Sequence, residues 1–292
     1  MNQNGKVAYT PKQDKGKKNS KQRVFNLIIF DESGSMSAIE EQAVSGLNET
    51  FQTIRNAQKE HQEQQHFISF VTFNSARIRS VMNRQKVESD KELKWTDYNP
   101  NECTPLFDAM GQSLKNLKYH VRADDVVLVT IITDGYENAS REFSGHDIKN
   151  LVTELKEKGW VFAYIGTNQD VDAVADDMGI RSRLCYDYSP SGADCMFELE
   201  RSSKREFYAR LHREGRNFMR QEDYDYFESN NQDEEVTEKG PDIVWDANDD
   251  ASSQPVDNSD DDKQEDTQSV KTTEEPEEPK GFWEKVKNIF KG

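Results

Sequence analysis

Residues 24–35 read Val24-Phe25-Asn26-Leu27-Ile28-Ile29-Phe30-Asp31-Glu32-Ser33-Gly34-Ser35, an apolar run that ends on a carboxylate and a turn rich in hydroxyls. Six apolar residues around a single asparagine predict a strand covered on both faces. Past the turn, Ile39, Ala43, Leu47, Phe51 and Ile54 recur at the three- and four-residue spacing of one helical face. A buried strand, a turn and an amphipathic helix are the opening of an α/β sheet, in which parallel strands need crossover connections.

The alternation continues to about residue 225. Residues 67–73 and 78–82, separated by Asn74-Ser75-Ala76-Arg77, read as a hairpin that puts one antiparallel strand at the sheet edge. Leu106, Met110, Leu114 and Leu117 mark a helix over 106–119, and 126–133 is the most apolar run, as a central strand requires. A helix over 146–158, a break at Gly159, a strand over 160–165, a short helix near 171–178, a weaker strand near 183–187 and a long charged helix over 191–219 complete the order. The expected fold is α/β: a doubly wound, mostly parallel sheet with one antiparallel edge strand and helices on both faces.

Charge sets the limits of that domain. The chain has 292 residues and a formal net charge of −17, but residues 222–280 alone hold 22 acidic side chains against four lysines. Such a segment cannot bury enough apolar surface to offset its ordering entropy. The expected division is a basic disordered arm over 1–23, one domain over 24–225, an acidic disordered linker over 226–280, and a short amphipathic helix or peptide motif over 281–292. In the last segment Phe282, Trp283, Val286, Ile289 and Phe290 fall on one helical face. A helix this short is marginal alone in water, so the aromatic face is expected to dock on a partner protein. Membrane contact through Lys285, Lys287 and Lys291, or folding back on the domain, are the alternatives. A second island, Ile243-Val244-Trp245, is too short to show a period.

Several classes are excluded. No run of about 18 apolar residues is present, which argues against a membrane span. The N-terminal arm has no apolar core of a secretion signal. Three scattered cysteines, Cys103, Cys185 and Cys195, form neither a disulfide framework nor a metal-ligand spacing, and a reducing cytoplasm is expected. An acidic chain with no broad basic stripe argues against nucleic acid as the main partner, and a membrane surface is not an expected partner either.

The chemistry concentrates at Asp31-Glu32-Ser33-Gly34-Ser35. One carboxylate and two hydroxyls at alternate positions aim hard oxygen donors into one small volume, which suits Mg²⁺ or Mn²⁺. The turn is expected to open a helix at about Met36 or Ser37, whose free N–H groups would hold an anion beside the ion. Alone the pentad is equally a helix cap. Two further elements decide: Thr104-Pro105 at a helix start, and Thr133-Asp134-Gly135 at the end of the most buried strand. In an open α/β sheet the carboxyl ends of the strands gather the binding loops.

With these three elements in order, residues 24 to about 220 resemble a von Willebrand factor type A domain of the bacterial intracellular type, with an intact metal-ion-dependent adhesion site. The resemblance implies that Ser33, Ser35 and Thr104 supply hydroxyl oxygens to Mg²⁺ (or Mn²⁺), while Asp31 and Asp134 bind it directly or through water. An open coordination position would then accept Asp or Glu from a partner protein. Glu32 adds an acid inside the turn, and Cys103, where many relatives have Gly, is expected to be a small packing residue. The function implied is that of a cytoplasmic adaptor, not an enzyme, in systems that include stress-response complexes of the tellurium-resistance type. Two other functions compete: a metal-dependent hydrolase or phosphatase-like enzyme, and a self-associating structural protein whose acidic tail occupies the metal site. His61, His66, His120, His146 and His212 form no cluster with the site, which weighs against catalysis.

Overall fold

A computed structural model describes residues 21–87, 92–167, 170–221 and 223–228. The basic arm up to residue 20, the linker from 229 and the C-terminal motif with Phe282, Trp283, Val286, Ile289 and Phe290 lie outside the described residues, as does Trp245.

The run that opens the domain forms β1 (Gln22–Asp31), and after the turn comes α1 (Glu40–Glu60). The hairpin is β2 (Gln64–Asn74) with β3 (Arg77–Lys86). There follow α2 (Leu106–Lys118), β4 (Val126–Ile132), α3 (Gly145–Glu157), β5 (Val161–Gly166), α4 (Val171–Asp177), β6 (Ser182–Cys185) and α5 (Pro190–Glu214). The sheet order is β3-β2-β1-β4-β5-β6, with every pair parallel except β2 and β3. This is the expected fold, a doubly wound sheet with its antiparallel strand at one edge. β1 and β4 lie side by side at the centre, so Asp31 and Asp134 emerge at the same edge.

Strand pleating divides β1 between two cores. Val24, Ile28 and Phe30 face α1 and α5, and Phe25, Leu27 and Ile29 face α2, α3 and α4. Burying each of these large side chains contributes about 1.5–3 kcal/mol. The α1–α5 contact is close because Gly46 has no side chain: a Cβ there would stand 2.3 Å from the Phe197 ring. Helix starts carry their own signals. Ser144 and Asp147 form a reciprocal capping box before α3, Asp170 caps α4, and Ser189 caps α5 ahead of Pro190. Gly159 makes the break before β5 in the left-handed region, at φ +85°.

Three details differ from expectation. The turn does not open an α-helix at Met36. Residues Gly34–Ile39 form a 3₁₀ segment, and α1 begins only at Glu40. The cause is tertiary: Gly34 N–H donates to the Glu102 carbonyl and Asn101 N–H to the Glu32 carbonyl, at 3.0 Å each, pinning the turn to another loop before a helix can start. α5 stops at Glu214, where Gly215 takes φ +67°, and the expected helical residues 215–219 are 3₁₀. Finally, Tyr226 and Phe227, just past residue 225, are buried against the α1–α5 core.

The α1–α5 face also holds a polar layer. Lys204 and Glu200, 0% and 1% exposed, pair at 2.5 Å, with Thr130 and Thr50 hydroxyls beside them. Asn26, His66 and Tyr208 form a second buried network, in which the Tyr208 hydroxyl donates to Asn26 Oδ1 at 2.6 Å.

Candidate metal centre

Asp31 ends β1 and is fully buried. Its Oδ1 accepts from Ser33 N–H at 2.7 Å and its Oδ2 from the Thr133 hydroxyl at 2.6 Å, while its carbonyl accepts from the Tyr98 hydroxyl at 2.9 Å. A chain of oxygens leads outward from there. Ser33 Oγ lies 3.2 Å from Ser35 Oγ, and the Ser35 hydroxyl donates to Asp134 Oδ1 at 2.8 Å. The other Asp134 oxygen, Oδ2, faces the Tyr188 hydroxyl side of the cluster with no hydrogen bond of ordinary geometry, and Glu32 Oε2 is likewise unpartnered. Thr104 joins the cluster around Gly135: a Cβ on that glycine would stand 3.4 Å from Thr104 Oγ1 and 3.9 Å from Ser35 Oγ. The structure therefore brings Asp31, Ser33, Ser35, Thr104 and Asp134 to one edge of the sheet, with three hydroxyls and two carboxylates in reach of one another.

Thr104 is placed by its backbone. Its N–H donates to Asn138 Oδ1 at 2.8 Å, and its carbonyl accepts from Asn138 N–H at 3.1 Å. The loop carrying Asn138 is fixed by two acids: Glu137 accepts from Ala139 and Ser140 N–H groups, and Asp108 from the N–H groups of Arg141, Glu142 and Phe143. Cys103 does not pack as expected but is exposed, because its backbone is held to the hairpin turn through Ser75.

Ion pairing sets the two site carboxylates apart from Glu32, the acid next to Asp31 in the chain. Burial pushes the Asp31 carboxyl up to about 7; hydrogen bonds from Thr133 and Ser33 oppose the shift, and the Asp134 charge adds to it. Burial raises Asp134 as well, against bonds from Ser35 and Tyr188. No ion pair among the described residues reaches either one. Glu32 is equally buried, yet its Oε1 receives Arg77 at 3.2 Å, Arg79 at 3.4 Å and Asn99 N–H at 2.9 Å. It is a clamp between β3 and the loop before α2 and turns away from the hydroxyl cluster.

Sequence reasoning missed the layer behind the site. The Tyr188 hydroxyl donates to the Ser35 carbonyl and lies against Asp134; burial and that carboxylate push its own value up to about 12. The buried Tyr186 and Tyr98 hydroxyls are raised in the same way, by burial first and then by the site carboxylates. Among the residues that support the site only Thr133, which bonds Asp31, carried a legible signal, as a hydroxyl beside Asp134 at the end of a buried strand.

The residues fit a hard divalent cation. All donors are oxygens, and among the described residues the neighbouring carboxylates of Asp31 and Asp134 have no ion-pair partner, whereas Glu32 has two.

Among solved structures, a von Willebrand factor type A protein from Catenulispora acidiphila is similar at 14% identity and a TM-score of 0.46, covering 63% of this chain and 43% of that one. The PilB minor pilin from Streptococcus sanguinis is similar at 10% identity and a TM-score of 0.48, covering 64% of this chain and 62% of that one. The vWF domain of the type V pili tip protein Mfa5 from Porphyromonas gingivalis is similar at 10% identity and a TM-score of 0.47, covering 64% and 97%. The chain spans less than two thirds of the length of the first two. These likenesses concern the course of the chain and bear on no residue of the site. No protein-family model and no curated protein matches the chain. No described helix is long and apolar enough to cross a membrane.

Proposed function

We propose that the chain is a von Willebrand factor type A module that binds Mg²⁺ or Mn²⁺ through Asp31, Ser33, Ser35, Thr104 and Asp134. In this reading the ion accepts a carboxylate from a protein partner. The observation that carries it is the contrast in charge compensation. Asp31, Glu32 and Asp134 are all buried, and Glu32 has two guanidinium partners, while no ion pair among the described residues reaches Asp31 or Asp134. Burying an ionised carboxylate without compensation costs several kcal/mol, and a cation from solution would supply that compensation in place of a proton. The chain's own residues hold that place ready: Thr133 and Ser33 N–H orient Asp31, and Asn138 orients Thr104. When bound, the ion supplies a positive charge and an open ligand position at the sheet edge.

Such a module acts as an adaptor, and a cytoplasmic stress-response or signalling complex of the tellurium-resistance type is the setting that the family resemblance suggests. The C-terminal motif around Phe282 and Trp283 is a second contact in that scheme. No observation among the described residues favours the hydrolase or the self-association reading over this one.

Affinity capture with the full chain tests it. Partners should be retained in Mg²⁺, released by EDTA, and absent from a variant carrying Asp31→Ala and Ser33→Ala. Identical partner sets under all three conditions would remove the metal from the interaction.

A further inference from the structure

The opposite edge of the sheet carries a second group of metal-ligating side chains. His61 caps the C-terminus of α1, Glu63 lies in the turn to β2, and His212 is in the last turn of α5. One ligand atom from each lies within 4.8 Å of the other two. His212 Nδ1 is 2.8 Å from Glu63 Oε1, and the His61 and His212 rings stack with centroids 5.0 Å apart and planes 24° from parallel. Their backbone is fixed on three sides. His61 N–H donates to the Ala57 carbonyl at 2.8 Å, the His61 carbonyl accepts from Gln64 N–H at 2.9 Å, and the Glu63 carbonyl accepts from Gln22 N–H at 2.8 Å.

We infer that His61, Glu63 and His212 form a second metal site, selective for Zn²⁺ and similar borderline divalent ions. Two imidazoles and one carboxylate are the donor set such ions prefer, whereas Mg²⁺ prefers the oxygen-only cluster at Asp31. A tetrahedral zinc site needs donor atoms about 3.3 Å apart, from metal–ligand distances of about 2.0–2.1 Å. To reach that spacing the half-buried His61 and the exposed His212 rings would rotate out of their stack so that their in-plane lone pairs meet at one point, which the fixed backbone already places between them. In the metal-bound form each imidazole would coordinate through an unprotonated nitrogen and Glu63 through its carboxylate, so the hydrogen that joins His212 Nδ1 to Glu63 Oε1 would give way to the ion. Three protein ligands leave a fourth position for water. Binding here ties the end of α1 and the turn into β2 to the end of α5, two helices that share one face of the sheet.

The test uses the full chain in excess Mg²⁺, titrated with Co²⁺ and then Zn²⁺ while the visible Co²⁺ spectrum and binding heats are recorded. One Co²⁺ per chain should bind with bands typical of nitrogen ligation, and Zn²⁺ should displace it. His61→Gln and His212→Gln should each abolish the bands and weaken Zn²⁺ binding roughly tenfold or more, the scale seen when even supporting residues of metal sites are lost. Asp31→Ala should leave the bands unchanged, which separates this site from the oxygen cluster. Both histidines are at the surface, and circular dichroism checks that the variants are folded. Wild-type bands in either histidine variant, or no binding below millimolar Zn²⁺, would overturn the assignment and leave the group as a surface ion pair.

Discussion

Gly135→Ala separates the folding of the domain from its response to a cation. Gly135 is not among the glycines with positive φ, so alanine meets no backbone strain there. The added methyl would stand 3.4 Å from Thr104 Oγ1 and 3.9 Å from Ser35 Oγ, which are ordinary contact distances. In EDTA the variant should therefore be as stable as the wild type, or more stable by about 0.4–1 kcal/mol through the lower entropy of its unfolded chain. Mg²⁺ should divide the two proteins. An ion present at about 100 times its Kd stabilises the wild type by about 2.7 kcal/mol, or roughly 5–11 °C in Tm for a domain of this size. The methyl occupies space beside two of the three hydroxyls that would hold the ion, so the variant should keep little of that rise. Thermal melts in EDTA and in Mg²⁺ measure both quantities. An equal rise in the two proteins would refute the convergence of Thr104 and Ser35 on one ion. A loss of more than about 2 kcal/mol in EDTA, a cost on the scale of overpacking, would refute the claim that the folded site has room.

Two further outcomes concern the buried polar layer. Burial, with smaller contributions from His61 and Lys204 against Glu63, pushes the His66 imidazole down to about 3. The folded state thus binds fewer protons than the unfolded one between that value and about 6.5, so stability is present above pH 6.5 and is lost as pH falls toward 3. The slope is about 1.4 kcal/mol per pH unit, or about 2 kcal/mol between pH 6.5 and pH 5; urea midpoints at pH 7 and pH 5 should show a clearly smaller loss for His66→Gln, and an equal loss would contradict the assignment. Lys204→Met strands Glu200 in the core and should cost about 3–5 kcal/mol, whereas adding Glu200→Gln should recover most of it. Denaturation of the two variants decides, and a double variant no better than the single one would mean that packing, not charge, is what Lys204 supplies.

The fold was legible where burial on two faces forced an unbroken apolar run. Residues 24–30 of β1 and all of β4 read as strands because every position there except Asn26 and Thr130 meets a hydrophobic layer, and those two meet Tyr208 and Lys204 instead. The helices were legible from their single apolar stripe. Tertiary ties were not legible. The start of α1 is delayed by bonds to Asn101 and Glu102, about 70 residues away in sequence, and no local pattern records them. The acidic setting of Tyr226 and Phe227 likewise hid two aromatics that close the α1–α5 core.

The candidate site shows how alternation within one turn sorts chemically similar residues into different roles. Asp31, Ser33 and Ser35 fall at alternate positions and share one hydrogen-bonded chain, whereas Glu32, between them, faces Arg77 and Arg79 on the neighbouring strand. Counting acids in the turn would assign Glu32 to the metal, but its partners already neutralise it. The same alternation explains why the supporting residues escaped detection. Tyr98, Asn138 and Tyr188 reach the site from three separate loops and share no spacing with it or with one another. A motif records the residues whose spacing in the chain is fixed by their task. Residues that orient the ligands need only the right place in space, and many positions in the chain can supply it. Charge compensation bridges the two kinds of information: a buried acid with a cationic partner is part of the scaffold, and a buried acid without one is a candidate for holding a proton or a cation from outside.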